Sequence, residues 1–451
     1  MKIKINEITV EVKDIKTDSR KVENGDLFIA YKGVKNDAHD YIPSAIEKGA
    51  SVVVGERSKD DVQVPSDVQY FQVRDGREFW AEAEAQKNDN PQNKLKLIGV
   101  TGTDGKTTTT NFIYTILEKA GFKVGMISTV AAKYSGQTKD TGLHVTSPDP
   151  DVLFKFLKEM VDANIEYVVL ETTSHGLKHK RVHGIHFAAC AVTNVTPEHL
   201  DEHGTYEQLI KDKSKIFEMS DAIFLNRNGA GFDQLKSFVP TDKKLFLVEA
   251  LNIDLSENFP GEYNKQNASL AYELTKHLGV SEEIISNALK TANPPQGRFQ
   301  FIENKLGINL IVDFAHTENS MRQVLNAVRA KRKNDEKIIV VFGCAGERDN
   351  HKRPAMGKTS SELADIVIVT SEDPRSEKPE DIIDQVVSGN PGYPYIKESD
   401  RAKAIEKGIK SARVGDWVLI LGKGHERSMN IAGVEHEWLD EDVAKKVLSN
   451  L

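Results

Sequence analysis

The feature that most restricts this chain is the run GVTGTDGKTTTT, Gly99 to Thr110, set between the apolar stretch LKLIGV and the amphipathic stretch TTTTNFIYTILEKAG. A strand that turns through a glycine-rich loop directly into a helix aims backbone N–H groups and the positive end of the helix dipole at one point, which makes an anion site. Gly102 and Gly105 let the backbone turn inward, Lys106 can reach β- and γ-phosphates, and Thr107 or Thr108 can offer a hydroxyl to magnesium. The strict G-x-x-x-x-G-K-[ST] form is not met, because Val100 stands where its first glycine belongs. A glycine-rich turn with a surface lysine is the plainer reading, and the flanking strand and helix count against it. The expected ligand is ATP or a similar nucleotide.

Around this loop, short apolar runs alternate with amphipathic stretches. LKLIGV, KVGMIST, EYVVLETTS, FAACAVTNV and AIFLNR read as parallel strands buried on both faces. NLIVDFA, KIIVVFG, DIVIVTS and DWVLILGKG repeat the theme, each ending on polar or glycine residues, where open α/β sheets gather ligands. Near the start, EITVEV, DLFIAYKG and ASVVVGE around the short helix YIPSAIEKG suggest a small α/β module, and the opening MKIKINEITVEVKDI alternates like a strand. Polar seams at Gln86–Lys94 and at NPPQGRF, where Pro294 and Pro295 stop a helical pattern, divide the chain into 1–90, 91–297 and 298–451. The expected fold is α/β in three domains: a small N-terminal module, a central P-loop ATPase-like parallel sheet and a C-terminal Rossmann-like domain.

Composition narrows the function. The 451 residues carry 60 Lys and Arg against 68 Asp and Glu, a net charge of −8, which argues against a nucleic-acid partner. No apolar run approaches the roughly 20 residues needed to span a bilayer, and the opening lacks the apolar core of a signal peptide. The two cysteines, Cys190 and Cys344, exclude a disulfide framework and a Cys-rich zinc site and fit a reducing compartment. A cytoplasmic protein, acting as a monomer, is the expectation.

TGTDGKTTTT resembles the nucleotide loop of the Mur ligase family, which usually has Asn where this chain has Asp104. ETTSHGLKHKRVHGIHFAACAVTNVTPEHLDEHGTYEQLIKDKSKIF is similar to the central core of the MurE branch of that family. GRFQFI, VDFAHTENSM, VFGCAGERDNHKRPAMG, TSEDPRSEKPEDI and LGKGHE resemble its later signatures, and TDSRKVENGDLFIAYKG its UDP-binding module. The likeness spans nearly the whole chain, and the order of the blocks is far more specific than any one of them.

The resemblance implies a role for each matching residue. Lys106, Glu171, His199 and Lys213 would be catalytic. Thr107, Glu171 and His199 would hold magnesium, joined by Lys213 if that lysine is carbamylated, with Lys211 as its nearest rival. Residues Gly102, Thr103, Asp104, Gly105, Lys106, Thr107 and Thr108, together with Asn264, Asn267, Arg298 and Asp313, would bind ATP, the two asparagines also capping their helix. Ser19, Arg20, Thr146, Ser147, Thr173, His179 and Arg181 would contact the UDP-sugar peptide. Arg348, Asp373, Pro374, Arg375, Gly422 and Glu426 would bind the incoming amino acid.

The bare residues leave plainer readings open. Glu171 can be a strand-end acid, the lysines at 211, 213 and 215 a solvated face, His179 a surface residue, and Arg375 a partner of Glu372 or Glu377. The MurE members that add diaminopimelate typically carry Asp-Asn-Pro-Arg where this chain has Glu372, Asp373, Pro374 and Arg375. The retained arginine favours an amino acid with a second carboxylate over lysine. The segment Leu225–Pro260 is short for the family, so part of the central sheet is expected to be trimmed.

The implied activity is an ATP-dependent amide ligase that adds a diamino acid to UDP-N-acetylmuramoyl-L-alanyl-D-glutamate through an acyl phosphate, with ATP and magnesium. The absence of a Ser-His-Asp or Cys-His signature agrees with it. Two alternatives stand: a folylpolyglutamate synthase-like ligase, against which the DSR and HGLKHKR blocks count, and a nucleotide-binding scaffold without turnover.

Overall fold

The computed structural model describes residues 1–33, 36–141, 147–333 and 335–451. The opening is a hairpin rather than the single alternating strand its pattern suggests. Strands Lys2–Ile5 and Ile8–Glu11 pair antiparallel with Ile5 opposite Ile8. The two turn residues, Asn6 and Glu7, have φ of +46° and +70°, the mirror-image turn that matches strand twist. The alternation survives, since Ile3, Ile5 and Val10 are all buried, but the chain reverses between them.

Four short parallel strands follow, in the order Ile15–Lys16, Leu27–Ala30, Val52–Gly55 and Gln69–Gln72. Helix Gly76–Lys87 starts where the Asp75 side chain accepts hydrogen bonds from the Arg77 and Glu78 amides. Its Phe79 and Ala83 join Leu27, Ile29, Val52 and Val54 in one core layer.

The central sheet has eight strands, in the order Gln137–Lys139, Ala132–Tyr134, Val124–Ile127, Tyr167–Glu171, Lys96–Thr101, Phe187–Val192, Ser220–Asn226 and Lys244–Val248. Val124–Ile127 and Tyr167–Glu171 run parallel and are buried throughout. The short segment expected to lack part of the sheet still contributes helix Phe232–Ser237 and strand Lys244–Val248, which pairs in parallel with Ala222–Asn226.

A six-stranded sheet ends the chain, in the order Gln300–Ile302, Asn309–Asp313, Trp417–Leu421, Ile338–Phe342, Ile366–Val369 and Ile396–Lys397, antiparallel only at its first pair. Helices Glu318–Lys331, Lys352–Leu363 and Pro379–Val387 supply Met321, Leu325, Met356 and Val386 to one face. Helices Arg401–Ser411 and Asp440–Ser449 supply Ile405, Ile409 and Ala444 to the other, so the sheet is covered on both sides as a Rossmann-like domain requires. By compactness the chain falls into two units, one of Met1–Gly99, Lys123–Cys190 and Lys215–Asp221, the other of Val100–Phe122, Ala191–Ser214 and Ala222–Leu451. Among the described residues no helix is long and apolar enough to cross a membrane.

Gly357 exposes how tightly the C-terminal helices are packed, because a Cβ there would lie 1.9 Å from the Val386 carbonyl oxygen. Alanine would gain about 1 kcal/mol of helix propensity. The backbone it meets cannot yield without moving helix Pro379–Val387, and overpacking of this kind costs about 1–3 kcal/mol. Gly357→Ala is therefore expected to lower the thermal midpoint; an unchanged or raised midpoint would show that the two helices are not in backbone contact.

Candidate active site

The phosphate loop leaves strand Lys96–Thr101 and enters helix Lys106–Lys119. Gly102 and Gly105 have φ of +142° and +85°, and a Cβ on them would come 1.9 Å from Thr193 Oγ1 and 2.3 Å from Asn267 Oδ1. Both positions are closed to side chains by conformation and by space. The loop is fastened from behind: the Thr103 amide donates to the Asn194 carbonyl at 2.8 Å, and the Thr196 amide donates to Thr103 Oγ1 at 3.0 Å. Lys106 Nζ folds back over the loop onto the Thr103 carbonyl at 2.6 Å. The helix has no acidic residue in its first turn, so its positive end stays fit for an anion.

Lys213, on helix Tyr206–Glu218, is the buried cation beneath this loop. Its Nζ donates to the Gly102 carbonyl at 2.6 Å and to Glu198 Oε1 at 3.1 Å. Burial pushes its pKa down to about 8, with Lys106 adding to the effect and Glu198 opposing it. Lys211 and Lys215 are exposed, so the three lysines are distinguished by helix face alone. Glu198 is held well below the usual carboxylate range, because Lys213, Lys106 and His199 outweigh the burial that would raise it. His199 has φ of +51°, and burial lowers its pKa against the pull of Glu198, favouring the neutral imidazole. Next to them, His203 Nδ1 and Asp212 Oδ2 are 2.8 Å apart and buried. Glu198 carried no signal of its own in the sequence; only its position beside His199 pointed to it.

The other compact unit holds the remaining central residues. Glu171 is the last residue of its strand and is buried, and its two carboxylate oxygens accept from the Thr129 amide at 3.0 Å and the Thr129 hydroxyl at 2.9 Å. Ser147 sits at φ +66°, its Oγ accepting from the Thr173 amide at 2.9 Å. Arg181 donates to the Ser147 carbonyl at 2.9 Å and pairs through Nε with Asp149 at 2.8 Å. Thr173 caps helix Ser174–Lys178, and His179 follows at its end, half-buried. Between His179 and Arg181, Lys180 bonds Asp75 at 2.7 Å and Glu78 at 2.5 Å, tying this segment to the first module. Arg20 forms a fork with Asp18, both contacts 2.9 Å, beside the buried Ser19. Thr146 lies outside the described residues.

Asp313 ends strand Asn309–Asp313 and shapes the turn before it, accepting from the Phe299 amide at 2.6 Å and the Ala315 amide at 2.8 Å. Arg298 lies 4.3 Å over the Phe314 ring and donates to Thr107 Oγ1 at 3.1 Å, joining this turn to the phosphate loop. The expectation that Asn264 and Asn267 cap their helix is overturned. Helix Glu262–His277 starts after Gly261 with no side-chain cap, Asn264 bonds back to the Pro260 carbonyl at 2.8 Å, and Asn267 is a full turn inside, beside Gly105. Residues inside a helix cannot take the non-helical backbone of a cap, and both side chains are buried.

At the far end, Lys423 is fully buried, its Nζ shared by Asp373 Oδ1 and Glu426 Oε2 at 2.8 Å each. Arg375, at φ +54°, is fixed through its backbone, its amide donating to the Asn430 carbonyl at 3.0 Å. Neither acid expected to pair with it does so among the described residues. Glu377 is taken by Arg353, and Glu372 is buried with Oε2 lacking a hydrogen-bond partner. Gly422 has φ +110°, and a Cβ there would lie 2.8 Å from that Oε2. Pro374 is buried behind Gly346, and Arg348 stands half-exposed in the loop beyond strand Ile338–Phe342.

Burial raises the Glu372 pKa to about 7, with Lys352 and Lys423 resisting and Glu426 and Asp373 reinforcing the rise. The folded chain therefore keeps a proton that the unfolded chain, near 4.5, has released, and stability drains away as pH climbs from 4.5 through 7. Glu372→Gln is expected to be more stable than the parent at pH 8, by on the order of 2 kcal/mol, with the gap closing near pH 4.5. Urea unfolding at both pH values checks this, and a parent advantage at pH 8 would refute it.

Comparison with known proteins agrees with this arrangement. Residues 11–88 match the Mur ligase family catalytic domain, 100–243 the Mur ligase middle domain, and 297–424 the Mur ligase glutamate ligase domain. The chain is 35% identical over 466 residues to the UDP-N-acetylmuramoyl-L-alanyl-D-glutamate–2,6-diaminopimelate ligase of Bacteroides fragilis, covering 98% of this chain and 95% of that protein. The enzyme of the same name from Clostridium perfringens is 39% identical over 446 residues, with 92% and 90% covered. A solved structure of a ligase of that name superposes with a TM-score of 0.64 at 24% identity, over 99% of this chain and 98% of the other. The folylpolyglutamate synthase/dihydrofolate synthase of Yersinia pestis shares the fold with a TM-score of 0.62 at 19% identity, but over only 76% of this chain and 90% of its own. On matches that extend across nearly its full length, the chain belongs to the Mur ligase family, whose members are ATP-dependent amide-forming ligases.

Proposed function

We propose that this ligase joins a diamino acid, meso-diaminopimelate in preference to L-lysine, to UDP-N-acetylmuramoyl-L-alanyl-D-glutamate in the synthesis of peptidoglycan precursors. The γ-carboxylate of the D-glutamate attacks the γ-phosphorus of ATP, ADP leaves, and an acyl phosphate results. The amine of the incoming amino acid adds to the acyl carbon, and the tetrahedral intermediate expels phosphate.

Each group has a task on this reading. The glycine loop, residues 102–108, cradles the phosphates, and Lys106 swings from the Thr103 carbonyl to the transferred phosphoryl group, whose charge is the main obstacle to the step. Arg298, Asp313, Asn264 and Asn267 complete the nucleotide site. By the chemistry of their donors, the hydroxyl of Thr107, the carboxylate of Glu171 and a His199 imidazole kept neutral by burial would suit magnesium. Lys213, with a pKa near 8, has a fraction of free amine able to add carbon dioxide and become a carbamate, which would supply a further oxygen donor. When bound, the metal would neutralise phosphate charge. Ser19 and Arg20 take the uridine diphosphate end of the substrate, and Thr146, Ser147, Thr173, His179 and Arg181 its peptide end. Arg348, Asp373, Pro374, Gly422 and Glu426 surround the amino acid, with Arg375 reading its distal carboxylate. The modules are 1–90, 91–297 and 298–451; the family matches at 11–88 and 100–243 fall within the first two, and the match at 297–424 begins one residue before the third. The protein acts as a monomer in the cytoplasm, where two buried free thiols are at home.

The observation that carries the choice of amino acid is Arg375, a guanidinium with no ion pair among the described residues while Glu377 is engaged elsewhere. A carboxylate fits that fork, whereas a lysine ammonium would face an uncompensated cation. Phosphate release is expected to require ATP, magnesium, the UDP-dipeptide and meso-diaminopimelate together. Arg375→Ala is expected to raise KM for diaminopimelate by roughly 100-fold with kcat changed far less, the mark of lost ground-state binding. Release with L-lysine in place of diaminopimelate would overturn the assignment of Arg375, and release with neither would overturn the ligase reading.

A further inference from the structure

Asp104 is an anomaly in a loop built for an anion. Its carboxylate sits where the loop of the resembling family usually has a neutral asparagine, among groups that would otherwise face a triphosphate. Every polar group it has is committed to protein. Its amide donates to Asn194 Oδ1 at 3.1 Å, and its carbonyl accepts from Thr193 Oγ1 at 2.7 Å and Asn194 Nδ2 at 3.1 Å. Its carboxylate turns to the C-terminal sheet domain, where Oδ2 accepts from Asn319 Nδ2 at 2.7 Å and Oδ1 lies 3.5 Å from the Thr317 hydroxyl.

Those two partners stand at the start of helix Glu318–Lys331, which Thr317 and Ser320 close with a reciprocal capping box. A carboxylate there meets the positive end of the helix dipole. Burial and the nearby Glu198 raise the pKa of this side chain, and the Asn319 hydrogen bond, Lys106 and Lys213 oppose the rise. We propose that the Asp104 side chain is a positioning residue, a clasp that locks the nucleotide loop to the first turn of helix Glu318–Lys331 and thereby sets Arg298 and Asp313 over the bound nucleotide. The clasp rests on the ligase reading, because alignment of the two sides matters only if a phosphoryl group passes between them. It is separate from phosphate binding itself, which the loop amides and Lys106 carry out.

The test is a double-mutant cycle on the full-length protein with Asp104→Ala, Asn319→Ala and the pair, plus Asp104→Asn, reading phosphate release and thermal midpoint. Each alanine variant is expected to lower kcat roughly 10-fold while KM for ATP moves less than about 3-fold, and the pair should lose no more than the worse single change. Asp104→Asn, which keeps an acceptor for Asn319, should restore kcat to within about 3-fold of the parent. Additive losses, a silent Asn319→Ala, or a rise confined to KM for ATP would overturn the clasp. A parent protein that releases no phosphate would sink the ligase reading instead. In that event a non-additive fall in thermal midpoint across the same cycle would still support the clasp, and an additive one would overturn it.

Discussion

The hydrogen bond from the Lys213 ammonium to the Gly102 carbonyl is the contact on which the nucleotide side depends. A buried cation is costly unless its donors are engaged, and among the described residues this one is satisfied by a loop carbonyl and by Glu198. Glycine at 102 is what lets that carbonyl come within reach, since any side chain would collide with Thr193. The loop is thus held from beneath by a cation and from behind by residues 193–196, at the expense of the Thr103 and Asp104 amides, which donate to Asn194. A cradle that must receive a highly charged ligand is preorganised by such fixed contacts before the ligand arrives.

Charge is handled differently around Lys423. Glu372, Asp373 and Glu426 crowd around the buried ammonium of Lys423, with Lys352 also acting on Glu372. Burial keeps Glu372 protonated over part of the neutral range, while Arg375 stands on a strained backbone with no ion pair among the described residues. A diamino acid carries both ammonium and carboxylate groups, and a cluster of acids beside an arginine with no ion pair among the described residues matches that pattern better than groups of either sign alone.

How much of this was legible in the sequence follows the range of the forces involved. The strand–loop–helix at Gly99–Thr110 was readable because all of it is local: glycines needing positive φ, a lysine and an amphipathic helix in one continuous segment. The alternating opening was readable as β but not as a hairpin, since Asn6–Glu7 is a weak turn signal beside Asn-Gly. The resemblance already favoured Lys213 over Lys211, but the burial of Lys213 beside exposed Lys211 depends on what packs against that helix face. The asparagines were misassigned as caps because the motif shows spacing but not where the first turn begins. Asn319, Thr129 and Glu198 were invisible for one reason: their partners are fixed by long-range packing that no local pattern encodes.

The same long-range contacts explain how an α/β scaffold shared with folate ligases can be specialised. Asp313 binds the amides of Phe299 and Ala315, which forces Phe299 to φ +43° and throws Arg298 across the Phe314 ring toward Thr107. One strand-end carboxylate therefore aims the guanidinium that reaches the phosphate loop, and it does so through backbone geometry rather than through a side-chain pair. A backbone held by two such hydrogen bonds tolerates change around it, so the loops after strands Ile338–Phe342 and Ile366–Val369 are free to vary while the turn around Asp313 stays fixed. Departures from the familiar pattern, Asp104 in the loop and Glu372–Asp373 before Arg375, are absorbed because each new carboxylate faces a helix start or a lysine already in place.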